Sequence, residues 1–141
     1  MQHKSKENML SAKILLAECR SNGPNDPKYY NAIIHCIYYS LLQFMKHCEP
    51  TIPTTGKRGH ITFFEKVGKK VEKKIQRKQA LKREFLKFSA ELLHMNKLRK
   101  TADYEQADTP FKDCVKALKI SERIIKALGE LYQKQTDFLN I

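Results

Sequence analysis

Tryptophan is absent from this chain, glycine and proline contribute five residues each, and acidic residues are outnumbered 15 to 27 by lysine and arginine. The few glycines and prolines cluster outside the periodic segments, which points to a mainly helical class. Sustained two-residue alternation is missing and the β-branched residues are scattered, so strands are not expected. The 141 residues suit one domain with a single core. No apolar run is long enough for a bilayer: the longest, Ala32 to Met45, is interrupted by His35, Ser40 and Gln43. The first residues enter a helical pattern with no apolar signal segment, so a soluble protein of the cytoplasm is expected.

The four cysteines, Cys19, Cys36, Cys48 and Cys114, form no C-x-x-C pair and lie in or beside apolar helical stretches. They read as reduced, buried thiols. His35-Cys36 and His47-Cys48 are adjacent pairs that point to different helix faces, so no metal site is expected.

The charge is concentrated. Between Lys57 and Lys87 twelve basic residues face three acids (Glu65, Glu72, Glu84), leaving nine of the twelve net positive charges in that span. Lys69, Lys70, Lys73, Lys74, Arg77 and Lys78 are the candidate nucleic-acid contacts. A solvated, solubilising helix face explains the same charges equally well. Only Phe63-Phe64 lies near them, which argues against an aromatic stacking platform for single strands.

Helical periodicity divides the chain into an all-α, up-and-down antiparallel bundle of four main helices plus a short one. A first helix is expected from Lys6 to Arg20, with Met9, Leu10, Ile14, Leu15 and Ala17 on its apolar side. Ser21 to Pro27 stops it, and Asp26-Pro27 supplies an N-cap and a proline at the first position of the next helix. That second helix runs to His47 and is apolar over most of its circumference, as a central helix must be. Glu49 to Gly59 forms a loop, a connector or a binding segment. A short helix from His60 to Val67, a long helix from Gln76 to Ala102 and a last helix from Pro110 to Phe138 complete the set.

Two places carry candidate chemistry. His35, Tyr39 and Gln43 lie four apart and draw one polar line along the apolar second helix; mutual hydrogen bonding or a cleft-facing role would explain it. On the long helix, Phe85, Phe88, Leu92 and Met95 recur at three and four, and the next step lands on Arg99. A guanidinium stays charged and is costly to bury without acceptors. Arg99 therefore has a dedicated partner, Asp103 being the nearest along the helix, or faces a cleft open to an anion. The tyrosine pairs 29-30 and 38-39 suit the lining of such a cleft.

These residues resemble a known family. Asn31-Ala32-(x)5-Tyr38-Tyr39-Ser40-(x)2-Gln43-Phe44 is similar to the tyrosine-rich second helix of HEPN (higher eukaryotes and prokaryotes nucleotide-binding) domains. Gly59-His60-Ile61-x-Phe63-Phe64 resembles the histidine-bearing short helix that follows it. Leu98-Arg99-(x)2-Ala102-Asp103-Tyr104 resembles the Arg-x-x-Ala-Asp-Tyr helix ending of one prokaryotic branch. The resemblance implies a homodimer with the arginine-bearing helices facing each other, binding RNA or a nucleotide, or partnering a small nucleotidyltransferase in a toxin–antitoxin-like pair. It implies ligand contacts at Arg99, Asp103, Tyr104, Tyr39, His35 and His60, without a cofactor. Toxin members cut RNA without metal through Arg-(x)4-6-His, but positions 104 to 106 here hold Tyr, Glu and Gln. Catalysis, if any, would need Arg99 with a histidine from elsewhere, His60 or His94. A purely structural bundle, with Arg99 a satisfied core arginine, is the third reading.

Overall fold

In the computed structural model the chain is a helical bundle, described over residues 2–22, 27–56, 58–104 and 111–140, with no strand among them. Five α-helices follow one another: α1 (Gln2–Asn22), α2 (Pro27–Cys48), α3 (Gly59–Ile75), α4 (Phe88–Tyr104) and α5 (Phe111–Tyr132). Short 3₁₀ turns span Gln79–Phe85 and Asp137–Asn140. Among the described residues no helix is long and apolar enough to cross a membrane.

The central position of α2 follows from its sequence. Ile33, Ile34, Ile37, Tyr38, Leu41, Leu42, Phe44 and Met45 are all buried, a spread too wide for one stripe. Contacts set the direction of each neighbour. Ser5 meets Ser40, while Cys19 and Tyr30 lie together, so α1 runs antiparallel to α2. Tyr30 packs on Phe111 and Glu49 meets Tyr132, so α5 runs with α2. His60 meets Arg99 and Gly68 lies against Ser89, so α4 opposes α3. Lys74 lies over Tyr132, so α3 runs with α2 and α5. The helices α1, α2, α4 and α5 thus alternate in direction, and α3 is the added element.

Four expectations change. The apolar side of α1 is rotated: Ser5, Met9, Ala12, Leu16 and Cys19 are buried, whereas Ile14 is exposed. Small and polar groups decide this, because the Ser5 hydroxyl donates to the Ser40 carbonyl at 2.7 Å and the Ser40 hydroxyl to the Ser5 carbonyl at 2.8 Å. Such reciprocal bonds fix the closest approach of the two helices.

The helix after the loop is longer than the span from His60 to Val67, and the expected long helix from Gln76 is divided. Phe63, Phe64, Val67 and Val71 are one buried stripe that carries α3 through the lysines to Ile75. From Gln76 to Ala80 every residue is exposed, and Lys78 leaves the helical region at φ −130° and ψ 70°. With nothing to bury, the helix ends. The stripe Phe85, Phe88, Leu92, Met95, Arg99, Ala102 is buried along its whole length, although Phe85 belongs to the preceding 3₁₀ turn.

The last helix stops at Tyr132, short of Phe138. Gln133 adopts φ 56°, and the Lys134 amide donates to the Gly129 carbonyl at 2.8 Å, a Schellman ending. The chain then folds back so closely that a Cβ on Gly129 would lie 2.4 Å from Thr136 Cγ2. This return seats Phe138 against Phe44, with ring centroids 6.1 Å apart.

Candidate functional site

The site is built where the start of α3 meets the second half of α4, over the middle of α2. The loop after α2 makes this possible by doubling back. Gly59 carries its backbone against Thr54, whose carbonyl oxygen would be 2.4 Å from a Cβ at that position. Only glycine permits that approach. Arg58, just before it, is held in the left-handed region at φ 59° and ψ 32°, an unfavourable conformation for a residue with a side chain. The outcome places His60 on the first turn of α3, beside Tyr38 and Arg99.

Arg99 is 6% exposed. Among the described residues its guanidinium has three neutral neighbours: one NH2 nitrogen lies 3.0 Å from Asn96 Oδ1 and 3.2 Å from His60 Nδ1, while the Tyr38 ring underlies Cζ at 4.9 Å. The last contact has cation–π geometry. The Tyr38 hydroxyl lies 2.7 Å from His60 Nδ1 and 3.2 Å from Asn96 Oδ1, so its single proton can be donated to either. Four side chains from three helices therefore share two acceptors, Nδ1 of His60 and Oδ1 of Asn96.

This geometry fixes the histidine's state. A guanidinium only donates, so Nδ1 must accept and the ring is neutral with its proton on Nε2. Burial, reinforced by the Arg99 and Lys100 charges, holds the His60 imidazole below the usual histidine range. Both arguments give a ring that is a neutral base near pH 7.

Above these residues lies a cleft of about 390 Å³. Arg58, His60, Asn96, Arg99 and Lys100 supply its polar wall, and Thr54, Gly56, Gly59 and Ile61 complete it. Among the described lining residues three side chains are cations and none is a carboxylate. The solvent face of the same helix, α3, carries Lys66, Lys69, Lys70 and Lys73, all exposed and none of them lining the cleft. Lys74 turns toward α5, its Nζ 4.8 Å from the Tyr132 ring centroid, and Arg77 and Lys78 extend the exposed charge past the helix end.

The candidate residues are thus partly assembled. Arg99 and His60 touch. Tyr39 stands edge-on to His60 at 6.1 Å, and His35 packs on Tyr39 at 4.6 Å, so the polar line of α2 leads to the site through a ring contact. His94 is exposed, away from the buried stripe that carries Arg99. Asp103 and Tyr104 close α4, and their side chains lie outside the described residues. Asn96 is the residue that sequence reasoning missed. Its signal was available: a polar side chain one turn before Arg99, at the spacing that faces it. Tyr38, read only as a lining ring, also supplies the hydroxyl that joins His60 to Asn96.

Elsewhere the thiols are inert. Burial raises all four, and pushes Cys48 and Cys114 up to about 12. Among the described residues no group of three or more His, Cys, Asp or Glu side chains gathers as a metal site would. No family model, curated protein or solved structure matches this chain.

Proposed function

We propose that this chain is an HEPN-like RNA-binding module in which the cleft over Arg99 takes a backbone phosphate and the lysine face of α3 tracks the neighbouring ones. The observation that carries this reading is the cleft wall: among the described residues Arg58, Arg99 and Lys100 surround His60 with no carboxylate, and the helix that carries His60 bears four exposed lysines on its solvent face. Arginine offers a planar set of donors suited to a phosphate, while surface lysines add point charges that hold the backbone without reading its sequence. The homodimer implied by the resemblance would cover Leu93, which is 51% exposed on α4.

Fluorescence anisotropy with a labelled RNA oligomer tests the binding. If about five phosphates are contacted, affinity falls about 100-fold between about 50 and about 200 mM salt. Arg99→Lys keeps the charge but not the fork, and is expected to weaken binding while leaving the melting temperature near that of the parent. A flat salt response, or full binding by Arg99→Lys together with loss of three α3 lysines, refutes the reading.

A second reading, a metal-independent endoribonuclease, is favoured by one observation: a neutral histidine 3.2 Å from the buried arginine. Attack by a 2′-hydroxyl needs a base for its proton and a cation for the developing phosphorane charge. Cleavage of RNA in excess chelator, lost in both His60→Ala and Arg99→Ala, would establish it.

A further inference from the structure

We propose that the Arg99–His60 contact is a proton-linked latch on the cleft: an RNA phosphate that draws Arg99 toward itself also draws one proton from solvent onto His60. The proposal rests on the RNA-binding reading and adds the coupling between ligand and proton. In the free protein Nδ1 of His60 is a lone pair that receives the Arg99 NH2 at 3.2 Å. A proton placed on Nδ1 would set two donors against each other, so the contact must break when the ring is charged.

The site already contains what the charged ring needs. Tyr38 Oη lies 2.7 Å from Nδ1 and 3.2 Å from Asn96 Oδ1. With its single proton donated to Asn96, the hydroxyl oxygen accepts from a protonated Nδ1. Two hydrogen bonds to Nδ1, from Arg99 and from the Tyr38 hydroxyl, are given up, and two, Nδ1–H to Tyr38 and Tyr38 O–H to Asn96, take their place. Asn96 Oδ1 still holds one edge of the guanidinium at 3.0 Å. A phosphate oxygen in the cleft accepts from the donor released from Nδ1.

The charges around His60 oppose its protonation until such an anion arrives. Arg99 and Lys100 face it from α4, and Arg58 precedes it, its own guanidinium 4.0 Å from the exposed Glu65 carboxylate. From α2 come only the neutral rings Tyr38 and Tyr39, with His35 behind Tyr39. A phosphate offsets part of that positive field, so ring protonation and phosphate binding favour each other. Linkage of this kind is reciprocal.

The test is titration calorimetry of the full chain with an oligouridylate carrying hydroxyl ends, whose phosphodiesters do not titrate. It is run near pH 6.5 in buffers of different ionisation enthalpy. Uptake approaching one proton per bound oligomer is expected, with affinity rising several-fold for each pH unit lowered from about 7.5 to about 6, up to the tenfold limit of one linked proton. His60→Asn, whose amide stands near the place of Nδ1, is expected to bind more weakly and with that uptake removed. Equal uptake by parent and variant overturns the proposal, as does pH-independent binding by the parent; in both cases the RNA-binding reading survives. No binding at any pH overturns both. Should His60→Asn fail to fold, the imidazole NMR titration of the parent decides: the His60 midpoint must rise on adding RNA, and a fixed or falling midpoint refutes the latch.

Discussion

Replacing Tyr38 by phenylalanine removes one oxygen atom from the centre of the site and leaves the ring beneath Arg99. Tyr38 is fully buried and Asn96 is 4% exposed, so solvent does not compensate for the loss. The hydroxyl reaches His60 Nδ1 at 2.7 Å and Asn96 Oδ1 at 3.2 Å. The hydroxyl's single proton makes one such bond at a time, worth about 0.5–1.5 kcal/mol. No further penalty applies, because neither acceptor is orphaned: Arg99 still donates to Asn96 at 3.0 Å and lies 3.2 Å from His60. A loss of about 0.5–1.5 kcal/mol lowers the melting temperature of a chain this size by about 2–6 °C. Urea denaturation should show the same loss as a lower midpoint with an unchanged slope. A double-mutant cycle with Asn96→Ala isolates the shared bond and should return a coupling of at least about 0.5 kcal/mol. If Tyr38→Phe melts with the parent and the cycle shows no coupling, the hydroxyl does not join the two acceptors. The assignment of a neutral, accepting Nδ1 would fall with it.

The other predictions are independent of that bond. Gly129→Ala forces a Cβ to 2.4 Å from Thr136 Cγ2 and 3.0 Å from the Lys134 carbonyl, so the return of the chain must shift; a loss of about 1–3 kcal/mol is expected in thermal unfolding. His60 and His47 are both held below the ordinary value of 6.5, by burial first. The unfolded chain therefore binds more protons as pH falls through 6.5, and the melting temperature should drop over that window, less so in His60→Asn. Neutralising Lys69, Lys70 and Lys73 should reduce the slope of log affinity against log salt by about 2 if each meets a single-strand phosphate, read by anisotropy.

How far the fold is legible in the sequence varies with the element. The second helix is fully readable, because an apolar residue on nearly every side leaves it only one place, the middle. The stripe from Phe85 to Ala102 is equally plain. Each misreading has a definite physical source. On α1 the larger aliphatics Ile14 and Leu10 suggest one face, yet Ser5 and Ser40 exchange hydroxyl-to-carbonyl bonds and Ala12 allows close approach, which turns the helix. Such pairing depends on a partner helix and is invisible along one strand of sequence. At Gly68 and the lysines around it, composition argues for a break, while the stripe Phe63, Phe64, Val67, Val71 continues the helix. Burial on one face outweighs propensity on the other.

The site itself teaches a different lesson about reading chemistry from spacing. Counting forward from Arg99 finds no histidine at the positions where one is sought, and along α4 that count is correct. Proximity in the folded chain is set by the loop after α2, which returns far enough that α3 begins beside the middle of α2 and runs against α4. Its tight passage at Gly59 and the left-handed Arg58 bring His60, 39 residues before Arg99, within 3.2 Å of it. A group delivered this way differs from one on the same helix. It can be moved by shifting the loop, without disturbing the stripe that buries Arg99. Gly59→Ala tests that independence: the Thr54 carbonyl must give way, so the His60–Arg99 contact and the cleft should be lost first. Phe88, Leu92 and Met95 keep the arginine-bearing helix in place. A variant that loses RNA binding with native helicity would show that the loop, and not the motif on α4, assembles the site.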